Sequence, residues 1–193
     1  MLRDIFERES LYTEERPALM LRGLTRTFTK EKNRFIIDDV RNFLFLSRET
    51  RVLVDLLALN LQRGRDHGLP DFRTMRKALG IDDFEDFEFT SDTETQDKIA
   101  EAYDHDNDQI DPFIGIINED PIDDDALMGP TGVEIIAEGF QQIRDGDSLW
   151  YERRGVIGKR LRREIECTTL KTIIARNTDI DFDELPDDVF FVR

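Results

Sequence analysis

Thiol and imidazole side chains are scarce in this chain of 193 residues, and cationic side chains are outnumbered by acidic ones. Cys167 is its single cysteine, which excludes an internal disulfide framework and leaves the redox compartment open. Only 27 Lys and Arg stand against 43 Asp and Glu, and the resulting net charge of −16 repels phosphate and argues against a nucleic-acid partner. No apolar run approaches the length that crosses a bilayer. The charges within Met1-Leu2-Arg3-Asp4-Ile5-Phe6-Glu7 also interrupt the stretch that a signal peptide needs. The expectation is a soluble chain with no membrane partner and an undecided compartment, since a targeting segment would be lost from a fragment.

What is present supports a core. Aliphatic and aromatic residues make up 39 %, enough to bury one interior, and residues 1–193 are read as a single unit. Acid-rich runs at 82–94, 104–111, 119–125 and 179–188 are read as solvated loops. Pro17 opens a helix lined by Met20, Leu21, Leu24 and Phe28, and Ile36, Ile37, Val40, Phe43 and Leu44 mark a second. Further helices are expected from about Thr50 to Gln62, and from Pro70 to Gly80 with Phe72, Met75 and Leu79 inward. Ser91 with Glu94, and Thr131 with Glu134, have the spacing of capping boxes. The second box heads a stripe of Val133, Ile136, Ala137, Phe140 and Ile143 that breaks at Asp145-Gly146. A last helix from Thr168 to Asn177 buries Leu170, Ile173 and Ile174, and Val189-Phe190-Phe191-Val192 closes the chain as a short strand or docked tail. The fold class is mainly α, with little β.

The densest chemistry lies in Leu59-Asn60-Leu61-Gln62-Arg63-Gly64-Arg65-Asp66-His67-Gly68, after an apolar run. Leu56, Leu59, Asn60 and Arg63 share one helical face at three-and-four spacing. An apolar wall ending in an amide and a guanidinium suits a flat hydrophobic ligand with an anionic edge, such as haem with its propionates. Each residue also has a plainer reading. Asn60 serves equally as a structural hydrogen-bonder, Arg63 as a neutraliser of helix-terminal carbonyls, and the leucines as core.

The ungapped segment Asp55-Leu56-Leu57-Ala58-Leu59-Asn60-Leu61-Gln62-Arg63-Gly64-Arg65-Asp66-His67-Gly68-Leu69-Pro70-Asp71-Phe72 resembles the signature of the animal-type haem peroxidases of the peroxidase–cyclooxygenase superfamily. Asp38 to Phe45, Gly129-Pro130-Thr131, Arg144 to Glu152 and Ile173 to Thr178 resemble the family in the same order, closer to its bacterial members. The resemblance implies the C-terminal helical part of that fold. It also implies that the N-terminal half, with the iron-ligating histidine, the distal histidine and glutamine, the distal arginine and the calcium loop, is absent. By resemblance Asn60 accepts a hydrogen bond from the proximal histidine, Arg63 binds a haem propionate, and Leu56 and Leu59 pack the porphyrin. No catalytic residue and no metal ligand is assigned in this chain, and calcium is not expected in this portion.

Two histidines remain to be placed. His67 is read as holding a turn, with Arg65 and Asp66 as an internal or turn-fixing pair. His105 sits in Tyr103-Asp104-His105-Asp106-Asn107-Asp108, where a calcium loop's sixth-position glycine and twelfth-position glutamate are replaced by Gln109 and Gly115. Asp111-Pro112-Phe113-Ile114-Gly115-Ile116 departs from the family's tryptophan-like residue and two glycines, so the local turn there stays open.

The resemblance implies haem-dependent oxidation of donors by peroxide, with this chain supplying the support behind the iron and one propionate contact, and inactive alone. Two alternatives stand beside it. One is a non-catalytic peroxidase-like interaction module. The other is a lipid dioxygenase of the same superfamily, which needs a tyrosyl radical, and none of Tyr12, Tyr103 and Tyr151 sits in such a motif. A bare face of Leu56, Leu59 and Asn60 implies a partner polypeptide such as the missing half, self-association, or a fold that has closed over the site.

Overall fold

The computed structural model describes residues 13, 15–30, 33–43 and 55–191. Among them the regular structure is helical, with no strand: α1 Arg16–Leu24, α2 Leu56–Asp66, α3 Phe72–Ala78, α4 Thr93–Ala102, α5 Pro112–Asn118, α6 Pro130–Gly146, α7 Lys159–Glu166 and α8 Leu170–Asn177. The mainly α expectation holds. The chain, read from sequence as one unit, divides into two compact units, residues 32–144 and residues 3–31 with 145–193.

Aspartates cap three helices of the 32–144 unit, α2, α3 and α4. The Asp55 carboxylate accepts the amides of Leu57 and Ala58, Asp71 accepts that of Thr74, and Asp92 accepts that of Glu94, so each satisfies donors the helix leaves open. The cap of α4 is therefore Asp92 and not the expected Ser91. Its core gathers Phe72, Phe84, Phe87, Phe89, Ile99, Ala100 and Ile110. Phe72 and Phe84 each meet Phe89 edge-on, both with centroids 5.1 Å apart. Gly115 on α5 lies against the Phe72 ring where any Cβ would collide, which explains a small residue at that turn of the helix. Phe72 is fully buried and Met75 and Leu79 are partly so, as their spacing requires.

Several expectations are corrected. The helix expected around Ile36 to Leu44 appears as a π turn, Asp39–Phe43, with Ile37 exposed, and Leu44 lies outside the described residues. The expected start of α2 near Thr50 also lies outside them. Its end does not fall at Gln62: the helix runs through Gly64 to Asp66, and the reversal occurs at Gly68, whose φ of 68° glycine adopts without steric cost. Thr131 heads no capping box. It is fully buried inside α6, and its amide and hydroxyl both go to Glu119. The α6 stripe of Val133, Ile136, Phe140 and Ile143 is exposed. Nor are the acidic runs uniformly solvated, because Asp83, Asp111 and Glu119 pair with Arg73, Arg65 and Arg76.

In the unit formed by 3–31 with 145–193, Ala18 of α1, Ile174 of α8, Ile180 and Leu185 form the core, with Leu21 and Val189 packed against it. Met20, Leu24 and Phe28 point to solvent, so the buried edge of α1 is Ala18 and Leu21. Of the three apolar residues expected inside α8, Ile174 is buried while Leu170 and Ile173 are exposed. Phe190 and Phe191 are exposed rather than docked, and Val192 lies outside the described residues. α7 has no counterpart in the sequence reading, because its two aliphatics, Leu161 and Ile165, are too few to reveal a stripe among Lys159-Arg160-Leu161-Arg162-Arg163-Glu164-Ile165-Glu166.

Candidate functional site

The C-terminal turns of α2 carry the site. Asn60, Arg63, Gly64 and His67 face a cleft of about 590 Å³ whose other walls are Met75 of α3, Phe113 and Ile116 of α5 and Ile135 of α6. Three and four residues separate Asn60, Arg63 and His67, so successive helical turns place them along one side. Leu56 and Leu59 do not line this cleft: Leu56 is half-buried and Leu59 is 45 % exposed. The structure thus brings the amide and guanidinium together and leaves the two leucines beside them.

Among the described residues, the half-buried Asn60 carboxamide has no hydrogen-bond partner and Arg63 has no carboxylate. A polar amide at the edge of an apolar wall is stabilised only by something that enters the cleft or by water. An open guanidinium one turn away fits a carboxylate through two parallel N–H bonds. The cleft therefore combines an apolar wall with an open amide and an open guanidinium, a set suited to a flat apolar ligand with an anionic edge such as haem.

Arg65 makes a different contact from the one expected. Its Nε and Nη2 donate to the two carboxylate oxygens of Asp111 at 2.9 and 2.7 Å, while Asp66 accepts from Gln62 Nε2 at 2.7 Å. The Tyr103 hydroxyl donates to the same Asp111 carboxylate at 2.8 Å. Arg65 bonding outweighs burial and holds the Asp111 carboxyl below its ordinary value. Burial, joined by the bond to Asp111, pushes the Tyr103 phenol up to about 12. Asp111 was missed from sequence as a partner of this helix. Its signal is slight, a lone acid before Pro112 that is 46 residues from Arg65.

His67 holds the turn: its amide and its Nδ1 both donate to the Arg63 carbonyl, the ring at 2.9 Å. His105 has a φ of 59° and its amide donates to the Ala100 carbonyl at 2.7 Å, closing α4. The neighbouring Asp106 caps the short turn Asn107–Gln109. Among the described residues no group of three metal-capable side chains converges, and no helix is long and apolar enough to cross a membrane. A second cleft of about 500 Å³ on α4 is bordered by Arg34, Arg65 and Lys98, but these cations are already paired with Asp92, Asp111 and Glu94.

Residues 1–190 match the family described as animal haem peroxidase. Peroxinectin A of Dictyostelium discoideum is 35 % identical over 160 residues, covering 82 % of this chain and 29 % of that protein. The solved structure of peroxidase A from Dictyostelium discoideum superposes with a TM-score of 0.71 at 32 % identity, over 87 % of this chain and 33 % of that one. A fatty acid alpha-dioxygenase from Arabidopsis thaliana shares the fold, with a TM-score of 0.63 at 22 % identity over 72 % of this chain and 23 % of that one. The chain spans a third or less of the length of these relatives.

Proposed function

The chain belongs to the animal haem peroxidase family, and from that premise we propose that it supplies the support behind a haem iron and one propionate contact for peroxide-dependent oxidation of donors. Haem is the family's cofactor, and when bound it supplies the redox-active iron. The observation that carries the reading is the pair of Asn60 and Arg63, one helical turn apart on a single apolar cleft. Arg63 would hold the anionic edge. Asn60 would orient a histidine through its non-ligating nitrogen and increase that ring's basicity, which tunes the iron without touching it.

The iron ligand and the proton-transfer groups are assigned to a further portion of the peroxidase fold, on a longer chain or a separate polypeptide. The residues matched span only 29 % of peroxinectin A. We propose that this chain alone is inactive, since neither His67, engaged at Nδ1 by the Arg63 carbonyl, nor His105, in its left-handed turn, is read as a ligand or distal base.

Hemin titration of the full chain tests the reading. The expected result is a saturable Soret shift weakened by Arg63→Ala, with peroxide-dependent donor oxidation no faster than that of free hemin. A robust peroxidase rate abolished by Asn60→Ala would overturn the assignment. The exposed α6 side chains Phe140 and Ile143, 70 and 69 % accessible, favour a second reading as a module that packs against a partner or another copy. Absence of any specific Soret shift would favour it. The dioxygenase reading ranks last, because the Tyr103 phenol is bound to Asp111 and, among the described residues, no tyrosine lines the cleft.

A further inference from the structure

The titratable groups lining the Asn60 cleft are Arg63, His67 and Asp111. Asp111 is the anomaly: a carboxylate in the wall would oppose any anionic ligand and compete for Arg63. Yet its side chain is only 10 % exposed, and both of its oxygens are occupied by the Arg65 fork, with Tyr103 donating to one of them. Arg63 meanwhile has no carboxylate partner among the described residues. Pairing of Arg65 with Asp111 cancels one charge of each sign, and the cleft is left with a single positive end.

We infer that Arg65 is a positioning residue that masks the Asp111 carboxylate, so that Arg63 is the uncompensated charge of the cleft and selects ligands with an anionic carboxylate edge. The inference rests on the haem-cleft reading and adds to it the source of the site's charge selectivity. A bidentate fork suits this role better than a lysine, because it saturates both carboxylate oxygens in one plane. Arg65 touches no ligand itself. It acts through Asp111.

The full chain is titrated with hemin and with hemin dimethyl ester, whose propionates carry no charge. In parallel it is titrated with the anionic dye anilinonaphthalene sulfonate and its uncharged phenylnaphthylamine analogue. Arg65→Gln is expected to lower the preference for hemin over its ester about fivefold, the size of one partly exposed charge pair. Arg65→Gln with Asp111→Asn restores it, and Asp111→Asn alone raises it, which covers the case in which Arg65→Gln does not fold. A structural tether would weaken both ligands alike and would not recover in the double variant, so either result overturns the inference. Failure of the underlying reading looks different: Arg63→Ala then leaves the hemin-to-ester ratio unchanged. In that case the dye pair decides the masking, which stands if the anionic preference falls in Arg65→Gln and returns in the double variant, and is overturned if it does not.

Discussion

Thr131 donates its backbone amide at 2.9 Å and its hydroxyl at 2.7 Å to the carboxylate of Glu119, twelve residues upstream. Arg76 donates to the same carboxylate, and its other guanidinium nitrogens reach the Asp82 carbonyl. One buried acid thus joins the first turn of α6 to α3 and to the segment after α5. Gly129 is required beside it, since a Cβ there would overlap the Glu119 side chain.

Removing that acid leaves Arg76, 8 % exposed, without its carboxylate. Glu119→Ala is expected to destabilise the 32–144 unit by about 3–5 kcal/mol, the cost of a buried charge left unpaired. Thr131→Val, which keeps shape and loses one hydroxyl donor, is expected to cost about 1–2 kcal/mol. Urea titration followed by amide hydrogen exchange of that unit measures both, and equal costs for the two variants would contradict the network.

Gly115→Ala is expected to be disruptive although alanine favours helices. The added methyl falls on the ring carbons of Phe72, a fully buried side chain with no room to retreat. Overpacking of this kind costs about 1–3 kcal/mol, against a gain in helix propensity near 1 kcal/mol. Gly139→Ala on α6, where a Cβ meets nothing, serves as the control and is expected to be neutral or mildly stabilising. A stable Gly115→Ala chain with an unshifted urea midpoint would show that α5 does not sit on Phe72.

Acid stability carries a sign that Asp83 fixes. Its bond from Arg73, the largest influence, holds the carboxyl down at about 2. An unfolded aspartate titrates at about 3.9, so the contribution is fully present above about pH 4 and is lost as pH falls toward about 2. Asp83→Asn is expected to flatten the stability profile across that acid window and leave its shape near neutrality unchanged. Carboxyl chemical shifts recorded against pH provide the direct check.

Tyr103 gives the opposite edge. Burial and the bond to Asp111 place its phenol at about 12, against about 10 for a free tyrosine, so the stability it contributes is present below about pH 10 and is lost through about pH 12. Ultraviolet titration is expected to show Tyr103 as a late component, and Asp111→Asn to shift that component downward. An unshifted late component in that variant would mean that burial alone sets it.

His67→Ala tests whether the cleft histidine is structural. Its Nδ1 is spent on the Arg63 carbonyl. The expected outcome is an unchanged Soret maximum in hemin-treated chain, with faster amide exchange over the last turn of α2. A shifted maximum would identify Nε2 as a ligand.

How far the sequence reached can be judged from particular residues. The motif helix, its face of Asn60 and Arg63, the inward Phe72 and the turn role of His67 were legible, because helical periodicity and local hydrogen bonding act within a few residues. Ser91 and Thr131 were misread as caps because several polar residues near a helix start satisfy the same pattern, and the choice falls to whichever side chain reaches the open amides. The α6 stripe was legible as a stripe but not as an exposed one.

Sequence alone determined the family, the helical class and the acidic character, since these follow from composition and from collinear local motifs. Tertiary structure alone decided that Arg65 meets Asp111 rather than Asp66, that Glu119 is buried under Arg76 and Thr131, and that Leu56 and Leu59 stand outside the cleft. The physical reason is distance along the chain: a partner 46 or 43 residues away is chosen by packing, which no local pattern encodes.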